Sequence, residues 1–198
     1  MKHLILLAAW LPLAATAQTI TFTWPGVGDE VNTFPRCSSR TFLAPVAEWS
    51  GVETCVLTGG GRHLGSYGWP AEPGNGFVRL SCLAYAPVML DSIIIVHRRG
   101  SLGPDRLQVL LCIGGSGADT LAEVGVANEY GTTRIAVHRP LMATNGQEFT
   151  RAHILLQAAG GEGAWDLLSV RIVGSPVPEA SGDQAPALLT DQHAPGRK

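Results

Sequence analysis

The chain has 198 residues, 45% hydrophobic and 15% charged, enough for one well-packed core and inconsistent with a disordered chain or two full enzymatic domains. Its 24 glycines and 13 prolines place turn formers too densely for a bundle of long helices. A formal charge of −2 provides no basic stripe to neutralise phosphates, so nucleic acid is not an expected partner.

Lys2, the apolar run over 4–13 and the small-x-small sequence Ala15-Thr16-Ala17 read as a secretory signal peptide over residues 1–17. The run is too short to cross a hydrocarbon layer of ~30 Å. The mature chain is therefore expected to begin at Gln18 and to work outside the cytoplasm, secreted or at the cell surface, without membrane insertion. Residues 19–24 alternate polar and apolar, which predicts a strand with Ile20, Phe22 and Trp24 on its buried face. The stretch 33–73 is less regular and is expected to form long loops at the edge of the fold, carrying Trp49, Tyr67 and Trp69.

Period two returns at 78–83, and 92–97 carries the β-branched run Ile93-Ile94-Ile95-Val96, suited to a strand covered on both faces. A turn at 100–105 leads to a strand at 106–113, closed by Gly114-Gly115-Ser116-Gly117. Residues 119–129 predict one or two helical turns, weakened by Gly125; strands follow at 134–138, 153–157 and 167–173, separated by glycine-rich turns. After Val173 periodicity ends, and 175–198 reads as a flexible tail. About eight short strands between turns predict an all-β fold, an antiparallel β-sandwich over 18–174.

Export changes the reading of Cys37, Cys55, Cys82 and Cys112, because thiols oxidise outside the cytoplasm and an even count favours disulfides. Of the three connectivities, Cys37–Cys55 and Cys82–Cys112 are preferred, the second because both residues lie in strand-like segments. The other reading makes Cys82 and Cys112 buried thiols acting as small hydrophobes.

Residues 76–172 carry a run of features in order: Gly-Phe-Val-Arg-Leu-Ser at 76–81, Ser-Ile-Ile-Ile-Val-His-Arg-Arg at 92–99, Asp-Arg-Leu-Gln-Val-Leu-Leu at 105–111 and Gly-Ala-Trp-Asp-Leu-Leu-Ser-Val-Arg-Ile at 163–172. This order resembles the MAM-like jelly-roll domains of bacterial secreted proteins, including the cleaved-adhesin and choice-of-anchor groups. The resemblance implies a jelly roll used for adhesion or glycan binding. It also implies a structural Ca2+ near one end of the sandwich, with Asp91, Asp105 and Asp166 as candidate ligands, although the second acid of the closing Trp-x-Asp-Asp strand is missing here.

Reaction templates are absent: there is no Gly-x-Ser-x-Gly elbow and no HExxH. Glu48, Glu53, Glu123 and Glu129 are the carboxylates from which a glycosidase pair would have to come. Aromatics carry the sharper expectation, because sugar rings stack on exposed Trp and Tyr. Tyr67-Gly68-Trp69-Pro70 holds two rings in a tight turn, so at least one should be exposed or cover the sandwich end. Tyr67, Trp69 and Trp49 are the candidate ligand-binding residues, and the other reading of the Tyr67–Trp69 turn is a loop plug over the core. Trp24 and Trp165 are expected in the core. The expected function is a non-catalytic binding module whose partner is a glycan or a cell-surface protein. The alternatives are an assembly subunit that pairs through its sheet edges and, behind it, a secreted hydrolase.

Overall fold

A computed structural model describes residues 18–23, 39, 42–57, 63–85, 87–115, 117–127, 129–142 and 148–177. The expected signal peptide, Trp24, Cys37 and most of the expected tail lie outside the described residues. Eleven strands are present: β1 (Gln18–Thr23), β2 (Phe42–Ser50), β3 (Glu53–Leu57), β4 (His63–Tyr67), β5 (Phe77–Tyr85), β6 (Val88–Arg99), β7 (Arg106–Ile113), β8 (Ala118–Gly125), β9 (Glu129–Leu141), β10 (Phe149–Ala159) and β11 (Trp165–Pro176). Every pairing between them is antiparallel.

One sheet runs β3-β4-β11-β6-β9 with β1 also beside β11; the other runs β2-β5-β10-β7-β8. From β4 to β11 the chain crosses to the opposite sheet at every connection except β7 to β8, which is jelly-roll connectivity. The protein is therefore an all-β antiparallel sandwich of the jelly-roll type.

The alternation read from the sequence is the cause of this layering. In β5 Val78, Leu80, Cys82 and Ala84 face inward, and in β10 Ala152, Ile154, Leu156 and Ala158 do, against Ile93 and Ile95 of β6 and Val170 and Ile172 of β11. Two irregularities reset the parity. The β6/β9 register shifts between Leu90 and Ser92, and the β11/β6 register between Leu167 and Ser169, so Leu90 and Ile93, like Leu167 and Val170, reach the core although three residues apart. At one pole the β6–β7 and β10–β11 turns lie against each other, with Gly163 N donating to Leu102 O at 2.7 Å and Gly100 N to Ala164 O at 2.9 Å. A Cβ on Gly163 would lie 2.5 Å from the Leu102 carbonyl carbon, which is why glycine occupies this crossing.

Several expectations are corrected. Residues 118–125 form the edge strand β8, not helical turns, because pairing with β7 satisfies their backbone. The stretch expected as loops contains β2, β3 and β4. The last strand continues to Pro176, two residues into the expected tail. The bridge Cys82–Cys112 is not formed. The two residues sit on strands separated by β10, opposite Ala152 and His153 respectively. Two strand spacings make roughly 9–10 Å, against the ~4.4–6.8 Å that a disulfide spans between Cα atoms. Cys82 also faces the core while Cys112 is on the outer face, and both are thiols, as is Cys55.

Candidate functional site

The outer face of the β2-β5-β10-β7-β8 sheet carries a depression. The residues that alternate with the core positions of β5 and β10 form cross-strand pairs in successive rows: Tyr85 with Phe149, Leu83 with Arg151, Ser81 with His153 and Arg79 with Leu155. On the β2 side Val46 stands opposite Ser81 and Glu48 opposite Arg79. A bulge between Leu43 and Val46, with Ala44 at φ 46°, bends β2 along this edge. A cavity of about 720 Å³ is lined by Leu83, Glu148, Phe149, Thr150, Arg151, His153 and the Gly114-Gly115 turn. A second, of about 400 Å³, is lined by Val46, Glu48, Arg79 and Ser81 among others. The two share Leu83, Arg151 and His153 and form one continuous groove.

Its chemistry is graded along its length. At one end the Tyr85 and Phe149 rings pack edge to face, centroids 5.1 Å apart at 81°, while remaining 48% and 36% exposed. In the middle Ser81 Oγ and His153 Nδ1 are 2.7 Å apart. Partial burial, followed by the charges of Arg79 and Arg151 and opposed by Glu48, lowers the His153 pKa, so at neutral pH its ring is uncharged and presents one donor and one acceptor. At the far end Arg79 donates to the Glu48 carboxylate in a solvent-exposed ion pair. Arg151 makes no ion pair among the described residues. A rigid aromatic edge followed by neutral and charged hydrogen-bonding groups is suited to a polyhydroxylated ligand, whose C–H faces pack on rings and whose hydroxyls both donate and accept.

The residues singled out from the sequence are placed elsewhere. Trp69 is 2% exposed and packs edge to face on Trp165, centroids 5.3 Å apart. Its Nε1 donates to Ser66 Oγ at 3.1 Å, and that hydroxyl donates to Trp165 O at 2.6 Å. It plugs the core and presents nothing to a ligand. Tyr67 is 39% exposed on the other sheet, opposite Glu53, whose charge raises the phenol pKa. Trp49 is half-buried against the core in β2. The three rings therefore form no common patch. Trp165 is in the core, as expected.

The three aspartates are not brought together either. Asp91 accepts a hydrogen bond from Ser175 Oγ at 3.2 Å, Asp105 precedes β7 with its side chain 53% exposed, and Asp166 is buried and paired with Arg98. Asp166 lies opposite Arg98, seven residues along β6 from Asp91, roughly 23 Å away. Among the described residues no group of three His, Cys, Asp or Glu side chains could hold a metal ion.

No protein-family model matches the chain, and no curated protein matches it in sequence. Among solved structures it is similar to a family 29 carbohydrate-binding module, at 14% identity and a TM-score of 0.47 over 80% of this chain and 88% of that one. The family 29 module CBM29_1 of Piromyces equi aligns at 12% identity and a TM-score of 0.47, over 81% of this chain and 91% of that one. The family 11 module of the Clostridium thermocellum cellulase Lic26A-Cel5E aligns at 11% identity and a TM-score of 0.40, over 77% and 98%.

Proposed function

We propose that the protein is an exported, non-catalytic module that binds a glycan in the groove on the outer face of β2, β5 and β10. The observation that carries this reading is that Phe149, braced edge to face by the exposed Tyr85 beside it, lines one continuous groove with Arg151, His153, Ser81 and Arg79. Solution binding by such a surface rests on rings already held in place, which lose little conformational freedom when a ligand packs on them.

The same geometry favours binding over hydrolysis. Glu48 and Glu148 line opposite ends of the groove: Glu48 is opposite Arg79, and Glu148 precedes Phe149, which is opposite Tyr85 six β5 residues further on, roughly 20 Å of strand. A glycosidase pair stands ~5–9.5 Å apart. Ser81 and His153 are within hydrogen-bond reach, but Ser81 sits in the middle of a strand paired on both sides, where the backbone N–H groups belong to the ladders and leave no oxyanion hole.

The test is affinity electrophoresis and calorimetry against soluble β-glucan, mannan, xylan and polygalacturonate. Tyr85→Ala and Phe149→Ala should each weaken binding at least about tenfold with the thermal midpoint nearly unchanged. No binding by the unmodified protein to any of these, or binding that both variants retain in full, would overturn the proposal.

A further inference from the structure

The opposite sheet carries a second depression, of about 320 Å³, lined by Arg98, Arg99, Glu129, Tyr130, Ala164 and Asp166. It is built from one row across the outer face: Gly65 of β4, Asp166 of β11, Arg98 of β6 and Tyr130 of β9 stand side by side in register. Asp166 is 1% exposed although it lies on the solvent side of its sheet. A buried carboxylate is costly unless it is paired, and Arg98 Nε donates to Asp166 Oδ2 at 2.6 Å. That pairing fixes the guanidinium 5.6 Å from the centroid of Tyr130, against one side of the ring. Tyr130 itself stays 61% exposed. Beside it Glu129 holds a left-handed backbone, φ 64°, a conformation that costs a residue with a Cβ and is kept where the surroundings impose it. Arg99 closes the floor by donating to Gly103 O at 2.9 Å and to Val126 O at 3.3 Å.

We infer that this depression is a second glycan-contacting site in which a sugar ring stacks on Tyr130, and that the protein joins two glycan chains. The inference rests on the groove reading for the first of the two contacts. The charges on the lining residues balance, Arg98 and Arg99 against Glu129 and Asp166, which favours a neutral sugar over an ionic ligand. The immobilised ring is the same device as the Tyr85–Phe149 pair, obtained with a cation in place of a second ring. The sites cannot serve one short chain. They lie on opposite sheets and at opposite poles, since Tyr85 leads into the Val88 end of β6 and Arg98 is at its other end, roughly 30 Å away.

The experiment uses the polysaccharide from the panel above that the unmodified protein binds, with sedimentation to establish that the protein is monomeric. Mixed with that soluble polymer, the protein should cross-link it, raising light scattering through a maximum near equivalence. Tyr130→Ala should still bind immobilised polymer through the groove, more weakly for want of the second contact, and lose the scattering maximum, and Tyr130→Phe should restore it. The double variant Tyr85→Ala/Phe149→Ala should keep a weaker binding that Tyr130→Ala removes. Binding without cross-linking, or cross-linking that Tyr130→Ala leaves intact, overturns the second site and leaves the groove standing. No binding to any polymer overturns the groove, and this inference falls with it.

Discussion

Replacing Trp69 by alanine separates a core role from a surface role for this ring. In the structure the substitution removes a 2% exposed indole, its edge-to-face contact with Trp165 and its hydrogen bond to Ser66. Truncating a buried Trp to Ala costs ~3–5 kcal/mol, of which the aromatic contact accounts for ~0.5–1.5 kcal/mol. Ser66 is not orphaned, because its hydroxyl still donates to Trp165 O, so no further desolvation penalty is added. For a domain of this size each kcal/mol lowers the midpoint by ~2–4 °C, so Trp69→Ala should melt about 10 °C lower. Tyr67→Ala, which removes a partly exposed ring, should stay within ~1 kcal/mol of the parent. The assay is urea unfolding followed by far-ultraviolet circular dichroism, which does not depend on the deleted fluorophore. An unfolding midpoint unchanged in Trp69→Ala, accompanied by loss of polysaccharide binding, would refute the placement of this ring in the core.

His97 is 1% exposed, with Nε2 3.2 Å from Thr133 Oγ1 and its ring beside Trp165; burial lowers its pKa. The unfolded chain takes up this proton near pH 6.5 and the folded protein only at lower pH, so stability should be full above about 6.5 and fall as the solution is acidified. Urea midpoints between about pH 5 and 8 should show this fall, and His97→Gln should reduce it, leaving the slope that the depressed His153 contributes. Non-reducing peptide mapping should find no peptide linking Cys82 to Cys112, and Cys112→Ala should melt within a few degrees of the parent. Gly163→Ala drives a Cβ into the Leu102 carbonyl and should cost more than ~1 kcal/mol, read as a lowered calorimetric midpoint; an unchanged midpoint would mean that the two turns are not held together as described.

The core strands were readable because one face of each is apolar and the other is not. Residues 78–83, 106–113 and 167–173 announce their strands, and 92–97 announces one covered on both sides. Segment 118–125 misleads because Leu121 and Val124 are spaced as on a helix among good helix formers, whereas the β7 edge supplies the hydrogen bonds that decide its conformation. In β2 to β4 the alternation is broken by Pro45, Gly65 and the bulge at Ala44, so composition there resembles a loop. Gly68 and Pro70 leave open whether Trp69 is a ligand contact or a plug over the core; that the indole folds back onto Trp165, nearly a hundred residues away, is a fact of tertiary register. The groove was missed for the same reason. Tyr85 and Phe149 are 64 positions apart and meet only through the β5/β10 pairing. A usable signal was present on the polar face of each predicted strand: extending the outward parity of 79, 81 and 83 reaches Tyr85, and that of 153 and 151 reaches Phe149.

The pairing of β1 with β11 sets how the sandwich responds to tension. Gln18 lies opposite Gly174, and the ladder runs from there to Thr23 opposite Ser169, so the backbone enters and leaves at the same pole. Antiparallel hydrogen bonds lie across the strands. A pull applied through Gln18 and Val177 is therefore directed along those bonds and loads the first rung alone, then the next, so that β1 peels away like a zip at low force. A pull applied through points at opposite poles would instead load the long β6–β11 and β6–β9 ladders in shear, with many rungs sharing the force at once.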